Sequence, residues 1–377
     1  MCSNTLKNVL ENIIVKSVLF TIFVKMSKKY TISDIAKLVG VSKGTVDRVI
    51  HKRGKVSKDA LDKVSKILEE INYQPNLIAR NLKKNKTYRI CVIFPDPKID
   101  NYWSTCTEGV QAVISELKAF GIQIDSYFFD PKSAFSYDQA NQRVFEAAPD
   151  AVLIAPLFKK QSAKAIEAYT TKGIIVATFN NRINSNAIPC FIGQNLHQSG
   201  RVGAKLLDQI IGQKGDLAII HVDEKYKQAL YIQEKEKGFR AYFEELPEYK
   251  PKLMTLQLKR SHFEVQMIDF LQLHPNLAGI FVTTSKAYEI IPMIKKFSHG
   301  KIVVVGYDLV PENIGYLKEG HIDFLIHQNP KQQVYLGLKT LAEHLLFDHE
   351  IKEQILLPID IINAENVLMT PTDRQFT

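Results

Sequence analysis

Lys43 and Arg48 stand in the stretch GVSKGTVDRV (Gly40–Val49), which sets small, polar and basic side chains on an apolar skeleton. Lysine and arginine suit the acceptor edge of guanine in a major groove. Asp47 lies between them, and an acid is unwelcome beside phosphate. The stretch is therefore either a surface turn and helix or a helix built to enter DNA.

The elements around it favour the second reading. Thr31-Ile-Ser-Asp34 matches a capping box, with the threonine capping amides and the acid reaching back. Ile32, Ile35, Ala36 and Val39 recur at helical spacing until Gly40 ends the helix. Ser42 is a natural N-cap for the next helix, in which Val46, Val49 and Ile50 point one way and Lys43, Gly44, Asp47 and Arg48 the other. Two short helices joined by a Gly-containing turn form the helix-turn-helix pattern, which presents the start of its second helix to the major groove. A third helix is predicted from about Lys58 to Ile71, capped by Ser57, with Leu61, Val64, Ile67 and Leu68 closing a three-helix core. In the following YQPNLIARNLKKNKTYR, Pro75 stops one element and can open another.

Charge follows the same division. The 377 residues carry a net +9, but 28–89 alone hold sixteen Lys/Arg against six Asp/Glu, and everything from Ile90 onward is slightly acidic. A basic head on a near-neutral body is the electrostatic footprint of a nucleic-acid binder.

Residues 30–82 resemble the headpiece of the lactose-repressor/purine-repressor (LacI/GalR) family. The likeness rests on TISDIAKLVGVSKGTVDRVI, a following VS, and INYQPNLIARNL, in that order. It implies that Lys43, Gly44 and Arg48 fall at base-reading positions, that Ser42 and Thr45 bond phosphates, that Thr31 is among the DNA contacts, and that NLIARNL folds as a short helix on DNA. Leu82 then matches the leucine wedged between base steps in the minor groove, with Asn76, Ala79 and Arg80 beside it. Asp47 departs from the family's commoner Ser. It stands four residues after Lys43, the spacing of a helix-surface ion pair, or it can accept from cytosine N4.

From Ile90 the pattern changes. Apolar runs (RICVIFP, IQIDSYFF, AVLIAPL, IIVATFN, CFIGQ) alternate with helical stretches, and GDLAIIHV, KLMTLQL, LAGIFVTT, KIVVVGYD and FLIHQN repeat the rhythm. Continuous apolar strands between helices indicate parallel sheets covered on both faces. Two such sets imply two α/β lobes, with any ligand at the carboxyl ends of the strands.

This body resembles the ribose-binding type of periplasmic sugar-binding fold that the same family uses as a sensor. The resemblance implies that Asp100 bonds sugar hydroxyls, that Tyr102 and Trp103 lie against a sugar ring, and that Asp308 and Gln328 are polar ligand contacts. Asn180 stands at a usually acidic position, with Asn181 and Arg182 as alternatives beside it; Asn195 stands where Asp is common. In KEKGF, Lys235 replaces an arginine and cannot make the same bidentate fork. Arg182 and Lys235 together point toward an acidic sugar or sugar derivative.

The expected fold is an all-α helix-turn-helix headpiece followed by an α/β two-lobed sensor. The expected divisions are an extension over 1–27, read as an over-extended start with Met26 as the true initiator, a DNA-binding domain over 28–74, a hinge helix and linker over 75–89, and a ligand-binding and dimerisation domain over 90–370. SVLFTIFV (Ser17–Val24) is far short of the roughly 20 residues that span a bilayer. The four cysteines are scattered without metal or disulfide spacing, so no metal and no cofactor are expected. No Walker loop, dinucleotide loop or His-Glu-x-x-His occurs. The expectation is a cytoplasmic, non-enzymatic regulator that binds a roughly palindromic double-stranded operator as a homodimer and responds to a monosaccharide or sugar acid, with no membrane partner. A periplasmic-type sugar-binding protein and a sugar-active enzyme are the rivals; the first has no use for Ser42–Arg48, and the second lacks a nameable catalytic pair.

Overall fold

The computed structural model describes residues 30–50, 53–71, 73, 86–183, 190–222, 229–246, 250–298 and 300–367. The hinge residues Asn76, Ala79, Arg80 and Leu82 lie outside them. The chain divides into two compact units, Met1–Leu77 and Ile78–Thr377.

In the first unit, α1 (Ile32–Val39) starts with the complete capping box: Asp34 N–H donates to Thr31 Oγ1, and the Asp34 carboxylate accepts from Thr31 N–H at 3.0 Å. Gly40 ends it in the left-handed region, φ 74°, where a side chain would be strained. Helices α2 (Lys43–Ile50) and α3 (Lys58–Glu70) follow, and Ile35, Ala36, Val46, Val49 and Val64 form the buried core with Ile67 and Leu68 packed against it. Leu61 departs from expectation and is 43% exposed. Val64, Ile67 and Leu68 set the inward face of α3, and Leu61 falls off it.

The second unit holds two six-stranded sheets. Lobe 1 contains β1 (Tyr88–Pro95), β2 (Ile122–Phe129), β3 (Ala151–Ile154), β4 (Ile175–Phe179), β5 (Cys190–Gly193) and β11 (Gln354–Leu356), all parallel, in the order β11-β5-β4-β3-β1-β2. Lobe 2 contains β6 (Asp216–Val222), β7 (Leu253–Leu258), β8 (Leu277–Val282), β9 (Val303–Tyr307), β10 (Phe324–His327) and β12 (Asp360–Ile362), in the order β12-β10-β9-β8-β6-β7, with only β12 antiparallel.

The continuous apolar runs follow from helices on both faces. In β1, Ile90, Val92 and Phe94 enter one core while Cys91 and Ile93 enter another; in β6, Ala218, Ile220 and Val222 are separated from Leu217 and Ile219 in the same way. The three-residue β11 and β12 were not anticipated, because runs this short carry no period.

The chain crosses between lobes three times. It leaves β5 at Gln194 to form α7 (Leu196–Ile211) on lobe 2, leaves β10 at Gln328 to form α12 (Pro330–Phe347) on lobe 1, and passes from β11 to β12 through Pro358. Gln194 Nε2 donates to the carbonyls of His327 at 2.9 Å and Pro358 at 2.6 Å, so one side chain fastens all three crossings.

Candidate functional site

The polar residues expected to meet a ligand stand at the carboxyl ends of strands, on both sides of the seam between the lobes. Tyr102 follows β1 in the short 3-10 turn Asn101–Trp103, Asn180 and Asn181 follow β4, Asp308 follows β9 and Gln328 follows β10. Asn180 and Asp308 both adopt φ 66°, a left-handed conformation that Asn and Asp tolerate better than other side chains. Their amides still continue the sheets, donating to Ile192 O and Ile326 O at 3.0 Å.

These groups form one buried path. Gln328 donates its backbone N–H (3.0 Å) and its Nε2 (2.7 Å) to the two oxygens of Asp308. Its own carbonyl accepts from Gln333 Nε2 at 2.7 Å, Gln333 Oε1 accepts from Asn180 N–H at 2.9 Å, and Asn180 Nδ2 donates to the Tyr102 hydroxyl. The path runs from lobe 2 to lobe 1 through the second crossing.

Lys235, on α8 (Leu230–Glu245), is 1% exposed. Its ammonium donates to Thr283 O at 3.0 Å and lies 3.5 Å above the centroid of the Tyr307 ring, a desolvated cation–π contact. Burial pushes Asp308 up to about 6, against the pull of Lys235 and the Gln328 hydrogen bonds, with Asp100 adding to the rise. Burial also lowers His327 to about 4, and its Nδ1 lies 3.8 Å from Asp308 Oδ1, too far for a hydrogen bond. Tyr102 is raised by burial and by the Asp308 charge.

A second buried layer supports Lys235. His221 Nδ1 meets Thr283 Oγ1 at 2.8 Å and Nε2 meets Glu236 Oε2 at 2.9 Å. Glu236 also accepts from Thr255 Oγ1 at 2.7 Å and Arg240 Nε at 2.8 Å. Burial alone would raise Glu236, but those hydrogen bonds outweigh it and hold it at about 2.

Helix α8 can approach α7 this closely because of two glycines. A Cβ at Gly238 would lie 1.8 Å from His197 O, and one at Gly200 would lie 1.9 Å from Lys235 O. Phe239 then stacks on Phe281, 4.7 Å between centroids and 16° between planes.

Other expected contacts stand elsewhere. Trp103 is buried in the lobe 1 core, edge-on to Tyr102 and Phe179, so its ring is already packed on protein. Asn195 is exposed and its Oδ1 caps α7 by accepting from Gln198 N–H at 3.0 Å; its neighbour Gln194 is the buried one. Asp100 is half-buried and caps the 3-10 turn through Tyr102 N–H at 3.1 Å. Arg182 is exposed at the edge of the seam. Sequence reasoning missed Gln333, Thr283, Tyr307 and the His221–Glu236 pair. Nothing in QNPKQQ separates Gln333 from Gln332 without the packing of α12.

In the headpiece, Lys43, Gly44, Asp47 and Arg48 are exposed on one face of α2 while Val46 and Val49 are buried on the other. Ser42 Oγ accepts from Thr45 N–H at 3.1 Å and meets Thr45 Oγ1 at 2.9 Å, which starts the helix with two hydroxyls at its exposed tip. The Thr31 hydroxyl is engaged with Asp34 at 2.7 Å.

Residues 90–348 match the family described as periplasmic binding protein domain, and residues 31–76 match bacterial regulatory proteins, lacI family. The ribose operon repressor of Halalkalibacterium halodurans is 26% identical over 74% of this chain and 81% of its own length. The sucrose operon repressor of Pediococcus pentosaceus is 24% identical over 89% of this chain and 99% of its own. Among solved structures, a LacI transcriptional regulator from Bacteroides fragilis is similar with a TM-score of 0.71 and 27% identity, over 76% of this chain and all of that one. A glucose-galactose binding protein from Geobacillus stearothermophilus shares the fold, with a TM-score of 0.65 and 18% identity over 75% of this chain and 99% of that one.

Proposed function

The chain belongs to the periplasmic-binding-protein-domain family and carries a lacI-family regulatory headpiece ahead of that domain, and from that premise we propose how it senses and binds. It is a DNA-binding transcriptional regulator modulated by a sugar-type ligand, and its relatives are repressors rather than enzymes.

In the proposed reading, a monosaccharide or sugar derivative binds where Tyr102, Asn180, Asp308 and Gln328 converge. The observation that carries this is the buried path across the seam, because hydroxyl-rich ligands need paired donors and acceptors once water is excluded. A ligand that exchanges hydrogen bonds with Asp308 and Asn180 acts on both lobes at once, so its binding is coupled to their arrangement. By reciprocity, DNA alters ligand affinity by the same factor.

On the DNA side, Lys43 and Arg48 read base edges, with Gly44 admitting close approach, while Ser42, Thr45 and Thr31 face phosphates. The segment with Asn76, Ala79, Arg80 and Leu82 completes the contact in the minor groove. The protein works as a homodimer on a roughly palindromic operator, in the cytoplasm where the chromosome is. Among the described residues no helix is long and apolar enough to cross a membrane.

Selection of random duplex DNA on the purified chain tests the regulator reading, with binding to the winning sequence repeated across salt concentrations. A two-fold symmetric site whose affinity falls steeply with salt is expected. Absence of any enriched sequence, with and without a sugar panel, would overturn it.

A further inference from the structure

At the rim of the same seam, Lys159, Asn181 and Arg182 of lobe 1 line a small cavity together with Tyr231 of lobe 2. Lys159 is the first residue of α6 (Lys159–Thr171), whose N-terminus has no side-chain cap. Its first-turn amides and the positive end of the helix dipole therefore add to two cations, neither of which makes an ion pair among the described residues. No acidic side chain lines the cavity among those residues. Asn181 is only 6% exposed, and its Oδ1 has no hydrogen-bond partner. A buried acceptor left unpaired costs free energy that a ligand donor would restore.

Lys235, expected from sequence to share in binding an acid, is not available for it. Its ammonium is committed to Thr283 O, to the Tyr307 ring and to the charge of Asp308. The cations that face open space are Lys159 and Arg182, both exposed.

We propose that the effector is an anionic monosaccharide, its phosphate or carboxylate held at the rim by Lys159, Arg182 and the first-turn amides of α6, and one of its hydroxyls donating to Asn181. This deepens the sugar-sensing reading and rests on it. Asn181 follows Asn180 directly, so the rim and the Tyr102–Asn180–Asp308 path meet at neighbouring residues of one loop. The cavity is closed to about 10 Å³, room for about one water. The anionic group therefore sits at the mouth of the cavity, where Lys159 and Arg182 are exposed, rather than inside it.

The test uses the full chain and a panel of matched probes at constant ionic strength, read by thermal shift and then calorimetry. Ribose, glucose, galactose and fructose are compared with ribose 5-phosphate, glucose 6-phosphate and fructose 6-phosphate, and with gluconate, glucuronate and galacturonate. Inorganic phosphate controls for bulk charge. At least one anionic probe is expected to bind tenfold or more tighter than its neutral parent, and the winning group distinguishes phosphate from carboxylate. Lys159→Gln and Arg182→Gln should each cut that affinity about tenfold, the scale of a charge-assisted hydrogen bond, and narrow the gap between the anionic probe and its neutral parent. Lys160→Gln, outside the cavity wall, should change nothing. If a neutral sugar binds as tightly as its anionic forms, or the double variant keeps the preference, this inference falls while the sugar sensor stands. If no probe binds, both fall.

Discussion

Asp308 gives both of its carboxylate oxygens to one residue, Gln328, which approaches through its backbone N–H at 3.0 Å and its side-chain amide at 2.7 Å. The carboxylate is 2% exposed and faces Lys235, with His327, Asp100, Tyr102 and Tyr307 as its other charged or titratable neighbours. Its hydrogen bonds hold the ionised form in place while burial opposes it, which leaves its pKa at about 6.

An effector hydroxyl donating to this carboxylate needs it ionised. Effector affinity is therefore expected to fall about tenfold per pH unit once pH drops below about 6. Asp308→Asn should flatten that profile and weaken binding throughout. Calorimetric titration between pH 5 and 8 checks it; a wild-type profile that is flat across 6 would contradict the assignment.

Stability should show two opposed effects in one window. Asp308 is raised, so its contribution is present below its ordinary value of 3.8 and lost as pH rises through about 6. His327 is lowered, so the unfolded chain takes up its proton first and stability falls as pH drops from 6.5 to about 4. The wild type should be nearly flat between them. Asp308→Asn leaves His327 unopposed, and its melting temperature should fall on acidification over that range.

Glu236 is held at about 2 by His221, Thr255 and Arg240, so its contribution is present above 4.5 and lost as pH falls through about 2. Glu236→Ala leaves buried donors unpaired and should cost about 3 kcal/mol, the scale for breaking a buried ion pair. His221→Gln should cost less. His221→Gln should weaken effector binding, because Thr283, whose carbonyl holds the Lys235 ammonium, loses the His221 hydrogen bond; Glu236→Ala should weaken it less, since His221 loses only its anchor. Denaturant melts and effector titrations on the two variants measure the pair of effects.

A methyl group at Gly238 meets His197 O at 1.8 Å, and backbone cannot yield as a flexible side chain can. Gly238→Ala should destabilise the sensor by about 1–3 kcal/mol and impair effector binding by displacing Lys235 on the same helix. A chemical-denaturation midpoint equal to wild type would sink this account of the α7–α8 contact.

Removal of the side chains of Lys43 or Arg48 should cost about 1–3 kcal/mol at the selected operator and relax specificity at one base pair. Ser42→Ala should weaken binding to all sequences alike, with about 1 kcal/mol lost from the helix cap as well. Asp47→Ser should raise non-specific affinity by removing a negative charge from the phosphate-facing side. Operator titrations against mismatched sites at fixed salt separate these outcomes.

The sequence by itself determined what depends on neighbours along the chain. The capping box at Thr31 and Asp34, the left-handed Gly40, the two faces of α2 and the ten longer strands were legible, because caps and hydrophobic periods are local. The order of headpiece and two-lobed body was legible for the same reason. Only the tertiary structure decided which polar groups meet. Three crossings bring Asn180 to Gln333, 153 residues apart, and Gln194 to Pro358, 164 apart. Asn195 and Gln194 look equally able to face a ligand in sequence; helix geometry turned one outward as a cap and the other inward across the crossings. Lys235 looked like a binding cation until burial committed it to Thr283 and Tyr307, leaving Lys159 and Arg182 at the rim. Burial makes each unpaired polar group costly, and no local pattern in the chain records which distant partner relieves that cost.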